Sequence, residues 1–254
     1  MNSILKYIIL TAMRDWLYVG LLAILIIAIC ISILLGSTAL VEQNQMTITY
    51  IACASRMILV VGIILFSCFY MRRSFDNKEV EFILSKAISR WQFILSYLLG
   101  FITVALIILL PLILILFFFP TNKLGLFYWA ISLVFEMLII ITFSILAGLI
   151  LRSAVSAILA ALGFYIISRM MGFFVLTIKF PESISQLTTI NNFLQFLLKI
   201  ISIAFPRLDL FSKSDWLIYG INNFSDIIII SVQSAIYVPL MIFMAFHDLN
   251  KKQF

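Results

Sequence analysis

Three charged residues stand inside otherwise apolar runs: Arg56, Glu136 and Arg169. An isolated charge in hydrocarbon is costly, so residues of this kind pair with one another or border a polar path. Each falls about ten residues from the same end of its run, which at 1.5 Å of rise per helical residue puts all three near a common depth of about 15 Å. That shared depth predicts that Glu136 meets at least one of the two arginines. Two roles stay open on the sequence: a surplus-positive lining for an anionic or amphipathic molecule, or a buried ion pair that fixes helix register.

Other chemistry is absent. There is no G-x-x-x-x-G-K-[ST] to cradle nucleotide phosphates, no H-E-x-x-H and no G-x-S-x-G. The one histidine, His247, sits at the edge of an apolar run, and Cys30, Cys53 and Cys68 lie within apolar runs without metal-like spacing. They read as packing residues. We expect no catalytic residue, metal or cofactor site in this chain.

The elements that must position the three charges are membrane spans. The sequence has 254 residues, 64 % of them hydrophobic and 11 % charged, more apolar surface than one soluble core can hide. We therefore expect an all-α polytopic membrane protein forming a single transmembrane domain over 1–254. Its net charge of +6 would suggest nucleic acid in a soluble protein, but here the sign follows from topology, and no nucleic-acid partner is expected.

Residues 1–16 pattern as an amphipathic helix, with Leu5, Ile8, Ile9, Ala12, Met13 and Trp16 on one side, and read as an interfacial elbow. The run from Leu17 to Leu35 is longer than a signal-peptide core and reads as a retained first span. Further spans are expected at about 48–71, 94–119, 126–151, 154–178 and 227–246. Pro111 interrupts the third, where a kink is expected near Ile107. Small residues at helical repeats open the fifth: Ser153, Ala157 and Ala161 on one row, Ser156 and Ala160 on another. Such rows let the fifth span approach the fourth closely. Between 179 and 224 the chain is mixed in character. Phe193–Phe205 is too short to cross, and reads as an interfacial or re-entrant helix before the last span.

Basic residues orient this layout. Ten fall at one end (Lys6, Arg14, Arg72, Arg73, Lys78, Lys86, Arg90, Arg152, Lys251, Lys252) and five at the other (Lys123, Lys179, Lys199, Arg207, Lys213). The positive-inside rule then puts both termini in the cytosol.

The longest polar interruption in the first half, 72–100, reads RRSFDNKEVEFILSKAISRWQFILSYLLG. Asp76 followed by Glu79 is a capping-box pattern, Phe75 and Val80 sit as a hydrophobic staple, and Val80, Ile83, Leu84, Ala87, Ile88 and Trp91 recur at helical spacing. A helix over 76–91 with one apolar face is expected on the cytosolic side.

The pattern E-x-x-x-x-L-S-K-x-x-S-R, formed by Glu79, Leu84, Ser85, Lys86, Ser89 and Arg90 and followed by a span with Gly100, resembles the coupling segment of exporter-type (type 2) ABC transporter permeases. The resemblance implies that 76–91 is a coupling helix. Asp76, Glu79, Glu81, Ser85, Lys86 and Arg90 would be its contacts to a separate ABC ATPase subunit, which would hold ATP and magnesium. It also implies a second permease copy or a related permease, contact with membrane lipid, export across a prokaryotic cytoplasmic (inner) membrane, and no enzymatic activity in this chain. The competing reading is an ion-coupled secondary transporter, for which Glu136 is the one candidate carboxylate and no internal repeat is visible. An intramembrane enzyme ranks below both.

Overall fold

A computed structural model describes residues 2–38, 42–80, 89–179, 196, 200, 205–221 and 224–251. The order is α1 (Asn2–Met13), α2 (Trp16–Ser37), α3 (Gln43–Asp76), α4 (Arg90–Phe118), α5 (Lys123–Ile150), α6 (Ala154–Arg169), α7 (Met171–Lys179), a 3-10 helix (Leu208–Ser212), α8 (Trp216–Tyr219) and α9 (Ser225–Lys251). Six helical stretches are long and apolar enough to cross a membrane: α2, α3, α4, α5, Ala154–Leu176 and α9. The chain is accordingly a multi-pass membrane protein.

Polar residues set the helix boundaries. Asp15 starts α2, its carboxylate accepting from the Leu17 amide at 3.2 Å. Ser89 and Gln92 form a reciprocal capping box at the start of α4, and Asn122 accepts from the Gly125 amide at the start of α5. Each arrangement satisfies amides that the first helical turn leaves free. Both α4 and α9 run on through an internal proline, Pro111 and Pro239.

Packing centres on α5. Its most apolar stretch is 72 % buried, against 17 % for that of α9, so α5 is the hub and α9 a peripheral helix. Ala157 and Ala161 of α6 are fully buried and pack with Val60 and Ile64 of α3 and Ile139 and Ile140 of α5. The first small-residue row thus faces two helices at once. On the far side of the bundle Ile8 of α1 presses on Gly100 of α4, where a β-carbon would come within 2.8 Å of it.

Contacts between helix ends sort the connections into two groups. Arg73 meets Asp15, Arg72 donates to the Leu151 carbonyl, and Arg90 donates to the Leu249 carbonyl. Residues 72–80 and 89–90, the α5–α6 link, the α1–α2 link and the end of α9 therefore share one end of the bundle, here the terminal end. At the opposite end the Asn122 amide donates to the Leu217 carbonyl and Tyr219 donates to Gln45.

Three boundaries differ from expectation. The helix of the second span does not stop at Arg73: it continues to Asp76, whose carboxylate takes Arg72 one turn back at 3.0 Å. Asp76 is thus a helix end and not the cap of a new helix. The i,i+4 arginine outcompetes the backbone amides that a capping box would offer, and the chain turns away through Lys78 at φ 57°. The fifth span is broken at Met170, between α6 and α7. The amphipathic face expected through Trp16 ends earlier, since Asp15 separates α1 from α2 and Trp16 is 88 % exposed. Residues 81–88, the middle of the expected 76–91 helix, and nearly all of 193–205 lie outside the described residues.

Candidate functional site

Arg56 on α3, Glu136 on α5 and Arg169 at the end of α6 come together inside the bundle. Glu136 is fully buried and lies between the two arginines, with Oε2 at 3.2 Å from Arg56 Nη1 and Oε1 at 3.4 Å from Arg169 Nη1. Arg56 is 2 % exposed and Arg169 27 % exposed, so only one guanidinium reaches the surface of the chain. The Arg56 guanidinium also stands 5.1 Å from the ring centre of Trp129, a cation–π distance.

One carboxylate cannot satisfy two guanidinium groups, each with five donors. One further acceptor for each arginine comes from the chain before the last span, while Arg56 Nε and Nη2 stay without a hydrogen-bond partner among the described residues. The 3-10 helix Leu208–Ser212 inserts between α3, α5 and α6, with Leu208 and Phe211 fully buried. Arg56 and Ser132 both donate to the Phe211 carbonyl, and Arg169 donates to the Leu208 carbonyl at 3.5 Å. Arg56, at the carbonyl end of this helical turn, is electrostatically favoured as well as hydrogen-bonded.

Contacts along α3 and α5 measure how far the insert penetrates. Tyr219 contacts Gln45, Ser214 lies 3.4 Å from Cys53, and Phe211 meets Arg56. On α5 the Trp216 carbonyl is so close to Gly125 that a β-carbon there would come within 1.7 Å of it, while Phe211 reaches Ser132. From Gln45 to Arg56 is eleven residues, a descent of about 16 Å. The segment from Tyr219 back to Phe211 thus runs from the opposite end to about mid-bundle. Asp209 lies against Gly172 of α7 and pairs with Arg207 at 2.9 Å, leaving the insert's own charges balanced.

The chemical content of this centre is a clamp. Arg56, Glu136 and Arg169 sum to one positive charge, and the Phe211 and Leu208 carbonyl dipoles face it. Among the described residues the three border neither the α2–α3 groove nor the α5–α6–α9 groove. The geometry shows the expected meeting of Glu136 with an arginine, made with both, and extended by the insert.

At the terminal end the structure describes three of the six residues named for coupling. Asp76 is exposed and engaged by Arg72. Glu79 accepts from the Tyr7 hydroxyl at 3.4 Å and from Ser74 at 3.2 Å, and Ser74 in turn accepts from Tyr97 at 3.3 Å. Arg90 donates to the Leu249 carbonyl and, at 3.4 Å, to Asn250, and the neighbouring Trp91 stacks on Phe246 with ring centres 4.3 Å apart. Glu79 and Arg90 therefore bind within this chain, tying the segment to α1, α3 and α9. Glu81, Ser85 and Lys86 lie outside the described residues. Among the described residues no group of three or more His, Cys, Asp or Glu could hold a metal ion.

No family model matches the sequence, and no curated protein matches it.

Proposed function

We propose that this chain is the membrane-spanning permease subunit of an ATP-driven ABC exporter, working with a separate ATPase subunit. The observation that carries this reading is the way the segment between the second and third spans is fastened. At its start Glu79 is held by Tyr7 of α1 and Ser74 of α3; at its end Arg90 and Trp91 are held by α9. A segment fixed at both ends to three helices of the bundle delivers any displacement of the residues between those ends directly to the bundle. That is what a coupling element requires, and the E-x-x-x-x-L-S-K-x-x-S-R resemblance lies within it. On this reading the terminal end is cytosolic, α1 is the elbow helix, two permease copies enclose the path, and ATP and magnesium belong to the ATPase.

A secondary transporter has less support. Its coupling carboxylate must gain and lose a proton or cation, whereas Glu136 is enclosed by two arginines with no described groove beside it.

The experiment is purification of the full chain in mild detergent with identification of co-purifying proteins. A P-loop ATPase is expected in the wild type. Reversal of Glu81 together with Lys86 is expected to release it while membrane insertion is kept, because inverting the sign of a docking face replaces attraction by repulsion. Failure of any ATPase to co-purify, combined with transport driven by an ion gradient alone, would overturn the reading.

A further inference from the structure

Three depressions on one side of the bundle run into one another. At the terminal end a cleft of about 470 Å³ lies between α1 and the start of α2, bordered by Tyr7, Thr11, Arg14, Asp15 and Arg73. Asp15 and Arg73 also border a second hollow of about 270 Å³, with Phe69 and Tyr70. Leu17 joins that hollow to an apolar groove of about 400 Å³ between α2 and α3. Trp16 lines both the cleft and the groove.

The groove follows α2 from Trp16 to Ile24 and α3 from Phe66 to Met57. These are eight and nine residues, or about 12 and 14 Å of helix, close to the roughly 15 Å that half a hydrocarbon core measures. It therefore covers the depth of one leaflet and opens into the polar cleft where the headgroups lie. Trp16, 88 % exposed at the junction, is the residue type that settles at that level.

The cleft has a matching charge. The Arg14 guanidinium has no ion-pair partner among the described residues. Arg73 is 66 % exposed, and the one carboxylate paired with it among the described residues, Asp15, stands 3.7 Å away while capping α2. Glu79, at the Tyr7 edge, is taken up by Tyr7 and Ser74. The charged residues that border the cleft, Arg14, Arg73 and Asp15, sum to one positive charge, carried on guanidinium forks suited to phosphate, while Glu79 keeps its negative charge outside the lining, behind Tyr7. The other large apolar groove, about 510 Å³ between α5, α6 and α9, is bordered by no charged residue and offers nothing to a headgroup.

We propose that the notch formed by α1, α2 and α3 binds one anionic glycerophospholipid, its phosphate beside Arg14 and Arg73 and one acyl chain along the α2–α3 groove. This site is independent of the transport reading and of any ATPase.

The test uses the full chain reconstituted in vesicles of about nine parts phosphatidylcholine to one of phosphatidylglycerol, re-extracted in mild detergent, with retained lipid measured by mass spectrometry. Wild-type protein is expected to enrich phosphatidylglycerol over the vesicle ratio, by about fivefold for each arginine engaged. Arg14→Gln with Arg73→Gln is expected to return the ratio to that of the vesicle, while Arg152→Gln, elsewhere at the same end, keeps the enrichment. Gly20→Phe places a ring where no atom lies within 4 Å of the added β-carbon, and is expected to fill the groove and lower retention of both lipids. A wild-type ratio equal to the vesicle's, or full enrichment in the double variant, would overturn the proposal. Should the double variant fail to show a cooperative melt, the wild-type ratio and the Gly20→Phe retention decide the matter.

Discussion

Arg56 and Glu136, eighty residues apart, meet at 3.2 Å with both side chains closed to solvent, and the same guanidinium donates to the Phe211 carbonyl. One contact thus joins α3 to α5 and both to the inserted segment. Removing one member of a buried pair strands the other, whereas removing both can approach neutrality.

Glu136→Gln leaves two guanidinium groups facing each other and is expected to cost about 3–5 kcal/mol. Combining it with Arg56→Gln should recover part of that loss, because the stranded charge goes too. Arg169→Gln should cost less than Arg56→Gln, since Arg169 is 27 % exposed against 2 % and its contact with Glu136 is the longer one, 3.4 Å against 3.2 Å. Thermal unfolding of the four proteins in detergent measures the cycle; strict additivity between Glu136 and Arg56 would mean that the two are not coupled.

The inserted segment can be located chemically. The Cys53 thiol and the Ser214 hydroxyl are 3.4 Å apart, so Ser214→Cys is expected to form a disulfide with Cys53 on mild oxidation. The cross-link is read as a joined peptide pair after digestion without reductant. Cys30 and Cys68 should take no part. Absence of the Cys53 pair in folded protein would place the insert outside the bundle.

Lys78 adopts φ 57°, a backbone conformation that costs a residue with a β-carbon about 1 kcal/mol relative to glycine. Lys78→Gly is therefore expected to leave the melting midpoint unchanged or raise it, and Lys78→Val to lower it. If valine is tolerated as well as glycine, the turn after Asp76 is not left-handed.

On the proposed orientation a reporter fused after Phe254 should behave as cytosolic, and one inserted near Ser185 as external. The contact of Arg90 with Leu249 requires that the start of α4 and the end of α9 share a side. Opposite locations for a C-terminal reporter and one inserted at Asn77 would contradict the packing; an external location for both would reverse only the orientation.

Much of the bundle was legible because hydrophobic run length translates directly into helix length. The common level of Arg56 and Glu136 was legible for the same reason, as residue counts along unbroken helices; Arg169 meets them although its count crosses the break at Met170. The insert was not. Pro206-Arg-Leu-Asp-Leu-Phe211 looks like a polar link, and backbone carbonyls leave no trace in a residue pattern. The available signal was stoichiometric: two guanidinium groups within apolar runs against one carboxylate demand acceptors from elsewhere. Asp76 shows a different limit. Asp-x-x-Glu is a valid cap signature, yet Arg72 lies one turn earlier on the same helix face, and a local motif cannot say which partner a carboxylate takes.

The unbroken length of α3 carries a geometric consequence. From Asp76 to Arg56 is twenty helical residues with no proline or break between them, a rigid arm of about 30 Å. A tilt of about two degrees pivoting at Asp76 swings Arg56 by about 1 Å, twice the roughly 0.5 Å window within which N–H···O contacts hold. The clamp on Phe211 is therefore a position gauge for the middle of α3: lateral leaning of the helix opens it.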